Sequence, residues 1–237
     1  MSGHSKWSTI KRQKGAADAK RGQLFTKLSS AITIAAKQGA PDPAGNFKLR
    51  IAVDKARAAN MPKDSIERAI EKAVGRDAED VSELTYEGFG PGGVSIIVET
   101  VTNNKQRTFS EVKNIFDKNG GNLGGQGSVM YQFNRVGEIT AKKAGKSIDE
   151  LFEIALNAGA EDVEDGDDVA YFYTGANSLF DVRKALEDAG LAIESAELTF
   201  KPVATMALDT DAEQRVFNLI EKLEDLDDVQ KVSTNLA

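Results

Sequence analysis

Residues 61–102 read MPKDSIERAIEKAVGRDAEDVSELTYEGFGPGGVSIIVETVT, and within this stretch the period of the apolar residues changes. Ile66, Ala69, Ile70 and Ala73 recur at helical spacing, with Pro62 and Asp64 suited to a first turn and Gly75 to a stop. After Arg76 that spacing is lost. DAEDVSEL reads as a polar connection, and GGVSIIVETV reads as a β-branched strand. An all-helical segment therefore gives way to a β-rich one near residue 76.

Upstream of that junction, Leu24, Phe25, Leu28, Ile32 and Ala35 form the stripe of a helix over about 16–38, stopped by Gly39 and Pro41. A second helix starts after Asn46, a residue suited to an N-cap, carries Leu49, Ala52, Val53 and Ala56 on one face, and ends near Asn60. Downstream, residues 105–118 form an amphipathic helix through Phe109, Val112, Ile115 and Phe116, and SVMYQFNRVGEIT returns as one or two strands, closing a β-α-β unit. A helix at 147–158, a strand at 169–174, a helix at 178–189 and a strand at 193–201 follow. TMALD, a helix at 211–223 and DVQKVSTN read as β-α-β again.

The class expected is α+β multidomain: an N-terminal three-helix bundle followed by two small α/β sandwich domains, the third inserted into the second. The boundaries expected are 1–78 for a basic helical domain, 79–140 plus 203–237 for the middle domain, and 141–202 for an acidic inserted domain. The insertion follows if the end of the chain completes the sheet begun near residue 85.

The net charge of −7 conceals a strong division. Residues 1–76 hold 16 Lys+Arg against 6 Asp+Glu, a net of +10, and the remaining 14 Lys+Arg and 31 Asp+Glu leave −17. Between Lys6 and Arg21, the cations Lys11, Arg12, Lys14 and Lys20 face only Asp18, and the chain's one Trp and one His stand among or beside them at Trp7 and His4. Clustered cations displace counterions condensed on phosphates, so a polyanion is the partner this segment fits. The bland alternative is a solvated face of ordinary helix formers. Trp7 suits stacking on an unpaired base or packing on the bundle.

Other chemistries are poorly supplied. The chain has no Cys, which removes disulfides and thiol nucleophiles, and its single His makes structural zinc and a Ser-His-Asp triad poor readings. His4 fits a binding surface better than a catalytic base. Gly88, Gly90 and Gly93 satisfy G-x-G-x-x-G but precede a strand instead of opening a helix, and GGNLGGQGSV lacks the Lys of a P-loop. Both runs read as tight turns and close backbone approach. In EDVEDGDD an EF-hand register would put Val163 at a ligand position, so a solvated turn is the better reading. No apolar run approaches the roughly 20 residues of a membrane span. The expectation is a cytoplasmic, monomeric, non-enzymatic protein without cofactor or small-molecule substrate.

GHSKW, DAKRG followed by FTKL, VDKARAANMPKDSIERAI, YEGFGPGG and GGNLGGQGSV before MYQF together resemble the YebC family, in order and over most of the chain. That family contains bacterial proteins described as probable transcriptional regulators and the mitochondrial translational activator of cytochrome c oxidase subunit I. The resemblance implies three domains, no known enzymatic activity, and a role in gene expression through DNA at promoters or through translating ribosomes. The residues expected to meet nucleic acid are His4, Lys6, Trp7, Lys11, Arg12, Lys14, Lys20, Arg21 and Lys27. DNA is the first partner expected, ribosomal RNA the alternative, and a scaffold role without nucleic acid the third.

Overall fold

A computed structural model describes residues 18–74 and 80–237, with side chains from residue 21 onward. The bundle consists of α1 (Asp18–Gln38), α2 (Phe47–Ala58) and α3 (Lys63–Val74). Ile32, Leu49 and Ala56 are fully buried at its centre, among a ring of alanines at 35, 36, 52 and 69. Small residues let the helix backbones approach, and the few branched side chains fill what remains. Losing one such as Leu49 to Ala therefore costs about 2–5 kcal/mol. Thr33 is buried against α3 and donates its hydroxyl to the Ala69 carbonyl at 2.9 Å, so its polar group is satisfied.

Asn46 fixes the turn between α1 and α2. Its Oδ1 accepts from the Leu49 N–H at 3.0 Å, which caps α2, and its Nδ2 donates to the carbonyls of Ala35 and Ala40, each at 2.8 Å. Gly39 is the residue that lets this amide in, because a Cβ there would lie 2.7 Å from Nδ2.

The chain continues through β1 (Ser82–Phe89), β2 (Ser95–Thr102), α4 (Lys105–Lys118), β3 (Asn122–Leu123), β4 (Phe133–Lys142), α5 (Ile148–Ala158), β5 (Asp162–Asp165), β6 (Val169–Gly175), α6 (Leu179–Asp188), β7 (Ile193–Pro202), α7 (Thr210–Glu224) and β8 (Val229–Thr234). One sheet has the order β3-β1-β2-β8 and the other β5-β6-β4-β7. All strands of the second sheet lie in sequence between β3 and β8, so the third domain is inserted into the second.

The bundle and the first sheet belong to one compact unit. β1 pairs antiparallel with β2 and with β3. Between β1 and β2 the chain turns through Pro91–Gly93, where Gly92 and Gly93 have φ of 75° and 83°, backbone that favours glycine. Ile96 shares its face of the sheet with Phe116 of α4 and Leu219 of α7, all three fully buried. Val101 alternates to the opposite face and packs with Ile34 of α1 and Val81.

The second unit is built on 131–208 with the last five residues. β4 and β6 are its inner strands, β4 is antiparallel to β6 and β7, and the register of β4 and β7 begins with Phe133 opposite Pro202. Lys201 of edge strand β7 reaches Asp162 at 2.5 Å and Glu164 at 3.2 Å on the other edge strand, β5, with its Nζ 3.6 Å from the centre of the Tyr173 ring. The sheet must therefore curl.

Three sequence readings need correction. β4 does not complete a β-α-β unit with β2, because both its neighbours are in the second sheet. TMALD is no strand; only Met206 makes a bridge, to Leu236. In the acidic run, Asp162–Asp165 is strand β5 and not a solvated turn, with Asp162 and Glu164 held by Lys201 and Asp165 by Lys143 at 2.6 Å.

Asn46 supplies a direct test of the bundle's construction. Asn46→Asp keeps the cap acceptor but sets a carboxylate against two carbonyls, so it should destabilise the chain by at least as much as Asn46→Ala, about 1–3 kcal/mol. Urea unfolding of both variants checks this, and near-wild-type stability for Asn46→Asp would show that the cap alone matters.

Candidate nucleic-acid interface

His4, Lys6, Trp7, Lys11, Arg12 and Lys14 lie outside the described residues, as does the side chain of Lys20, whose backbone is in α1. Arg21 and Lys27 are described, and they differ in kind. Arg21 is exposed in the first turn of α1, its guanidinium 5.5 Å from the centre of the Phe25 ring one turn on, a cation-π distance. Lys27 is half-buried and donates to the carbonyl of Glu224, next to Gln23, which donates to that of Asp225. Those carbonyls end α7, where peptide groups lack partners and a positive charge is favoured. Lys27 thus fastens α1 to the end of α7.

Most other cations of the bundle also have partners within the fold. Lys37 pairs with Asp80 at 2.9 Å, Arg57 with Asp54 at 3.7 Å and Lys63 with Glu67 at 3.4 Å. Arg50 donates to the carbonyls of Pro43 and Ala44, and Arg68 to that of Asp64. On α3 the exposed charged residues are Lys63, Asp64, Glu67, Arg68, Glu71 and Lys72, equal in acids and bases. A helix with this face has no electrostatic preference for a DNA groove.

A cleft of about 1010 Å³ separates α1 and α3 from the β2–α4 connection and the α7–β8 turn. Thr26, Ser29, Ser30, Arg68 and Lys72 line one wall; Arg107, Glu111, Asp225, Asp227 and Asp228 line the other. The Asp228 carboxylate closes the second wall by accepting from Arg107 at 2.8 Å, Thr102 at 3.1 Å and Thr108 at 2.6 Å, while its carbonyl accepts from the Val101 N–H at 2.9 Å. A phosphate backbone in this cleft would face the remaining carboxylates, so the cleft does not suit a polyanion.

The two glycine-rich runs meet at Glu87. Its carboxylate is buried and accepts from the backbone N–H groups of Gly127 at 2.6 Å, Val129 at 2.8 Å and Met130 at 2.7 Å, and its carbonyl accepts from Gly124 at 2.8 Å. The converging N–H groups that would hold a phosphate in a nucleotide-binding loop are here filled by the protein's own carboxylate. Burial works to raise the Glu87 pKa, but the three donors outweigh it and hold the carboxyl below the usual glutamate value. Glu87 is the one acid inside YEGFGPGG, and that single acid among glycines is the signal in the sequence that points to it. Among the described residues no cluster of His, Cys, Asp and Glu is arranged to hold a metal ion, and no helix is long and apolar enough to cross a membrane.

The family models divide the chain where the apolar period changes. The TACO1/YebC protein N-terminal domain matches residues 5–76, and the TACO1/YebC second and third domain matches 81–236. A "Probable transcriptional regulatory protein" of Treponema denticola is 54% identical over 100% of this chain and 96% of its own length. One from Geobacter sulfurreducens is 51% identical over 99% and 95%. Among solved structures, the crystal structure of a conserved hypothetical protein, Aq1575, from Aquifex aeolicus has a TM-score of 0.87 at 44% identity, covering 93% of this chain and 91% of that one. The chain belongs to the TACO1/YebC family.

Glu87 makes stability depend on acidity with a defined sign. Its folded pKa is depressed, so its contribution is complete above the unfolded value near 4.3 and is lost as pH falls through the folded value. Glu87→Ala should destabilise the protein by on the order of 3 kcal/mol at pH 7, with three N–H groups left unpaired, and the loss should shrink toward pH 3. Thermal melts of wild type and variant across that range test this; a loss independent of pH would mean the carboxylate charge plays no part.

Proposed function

We propose that this protein regulates gene expression by binding nucleic acid through its N-terminal segment, with DNA as the first partner and transcription as the process. The observation that carries the reading is the segregation of charge, +10 over residues 1–76 against −17 over the rest. Membership of a family whose curated relatives are named probable transcriptional regulatory proteins supports it. The contact surface proposed is His4, Lys6, Trp7, Lys11, Arg12, Lys14, Lys20 and Arg21, because the bundle's later cations are largely committed to partners in the fold. Lys27, which also donates to the Glu224 carbonyl at the end of α7, is proposed as the limit of that surface. No reaction is proposed.

A second reading has a specific observation in its favour. The charge-balanced face of α3 is a poor recognition helix, and a basic segment with one aromatic suits ribosomal RNA, whose splayed bases Trp7 can stack on. Crosslinking in cells followed by sequencing of both DNA and RNA separates the two.

Replacing Lys11, Arg12 and Lys14 together by Ala should flatten the slope of log K against log salt by about two to three, since each phosphate contact contributes roughly 0.7–0.9. Trp7→Ala should weaken binding of single-stranded or ribosomal RNA by about 1–3 kcal/mol with the slope unchanged, and leave duplex DNA binding nearly as it was. Fluorescence anisotropy over a salt series measures both. An unchanged slope in the triple variant on every nucleic acid would overturn the proposal.

A further inference from the structure

Helix α5 carries a stripe that the fold does not use. Its inward residues Leu151 and Ala155 are buried, whereas Phe152 is 53% exposed and Leu156 77% exposed. The two are four residues apart, hence one turn apart on the same face. Asp149 and Glu153, each three residues ahead of one of them, fall on that face and are exposed as well. Single exposed apolar residues are ordinary, but here two large ones stand together in water with carboxylates beside them. Residues 133–202, which hold this helix, contain 7 Lys+Arg against 15 Asp+Glu, a net of −8.

We infer that the outer face of α5 is a docking surface for a cationic amphipathic helix of another protein. Apolar residues of such a helix would cover Phe152 and Leu156, and its flanking Lys or Arg would meet Asp149 and Glu153. Charge selects this occupant. Nucleic acid and an anionic bilayer are repelled by the same carboxylates, and a second copy would set Asp149 and Glu153 against their own kind. Two exposed apolar side chains make a small contact, so the complex is transient and weakened by salt. This surface is separate from the nucleic-acid surface proposed above and does not depend on it.

The test uses the full chain and a fluorescent synthetic peptide of about 18 residues, five helical turns, with leucine on one face and lysine on the other. Anisotropy should show saturable binding that weakens with salt. Phe152→Ser with Leu156→Ser should weaken it by at least about tenfold, and Asp149→Asn with Glu153→Gln should weaken it and flatten its salt dependence. All four positions are exposed, and the second pair changes no apolar residue, so it reports independently of any effect of the serines on folding. A peptide with glutamate in place of lysine should not bind. Equal binding by wild type and both double variants, or equal binding of the glutamate peptide, would overturn the inference. So would a wild-type dimer in sedimentation that the serine variant dissociates, since the occupant would then be a second copy.

Discussion

Asp228 ties the foot of β8 to the β2–α4 connection, two parts of the chain that are far apart in sequence. The end of β2 offers Thr102, the first turns of α4 offer Arg107 and Thr108, and all three donate to one carboxylate at the foot of β8, 126 residues from Thr102. A domain interrupted by an insertion must draw its last strand back to the sheet. The entropic cost of that return rises slowly, by about 0.6 kcal/mol for each doubling of the loop. A single hydrogen bond to a charged group contributes roughly 1.5–3 kcal/mol. One such cluster therefore outweighs the added cost of an insertion of this length, and the β3-β1-β2-β8 sheet can be discontinuous in sequence yet closed in space.

Much of this architecture is legible in the sequence because it depends on local pattern. The three bundle helices, α4 at 105–118 and the cap at Asn46 follow from apolar period and stop residues, and the structure has them within a few residues of the expected limits. What was not legible depends on pairing. Strand β5 is three acids around one buried Val163, and it is a strand because β6 pairs with it and Lys201 and Lys143 pair with its carboxylates. TMALD, with only Thr205 among the strand formers, makes only the bridge at Met206. The expected nucleic-acid residues up to Lys14 lie outside the described residues. Lys27 shows that a cation counted in sequence also serves the fold: it donates to the Glu224 carbonyl at the end of α7, a contact that no local pattern announces.

The same distinction applies to the glycines. A glycine-rich loop offers converging N–H groups, and whether these meet a ligand or the protein itself depends on what side chain arrives. Here Glu87 arrives, so an anion-binding geometry becomes a structural joint between the 124–130 loop and β1. Composition cannot distinguish the two cases, because the donors are the same backbone groups in both.

The pairing of Phe133 with Pro202 has a consequence for how this architecture could arise and change. Strand β4 begins and strand β7 ends side by side, about 5 Å apart, although 68 residues of chain lie between Phe133 and Pro202. The length of chain looped out between those two strands can therefore grow or shrink without drawing its own two ends apart.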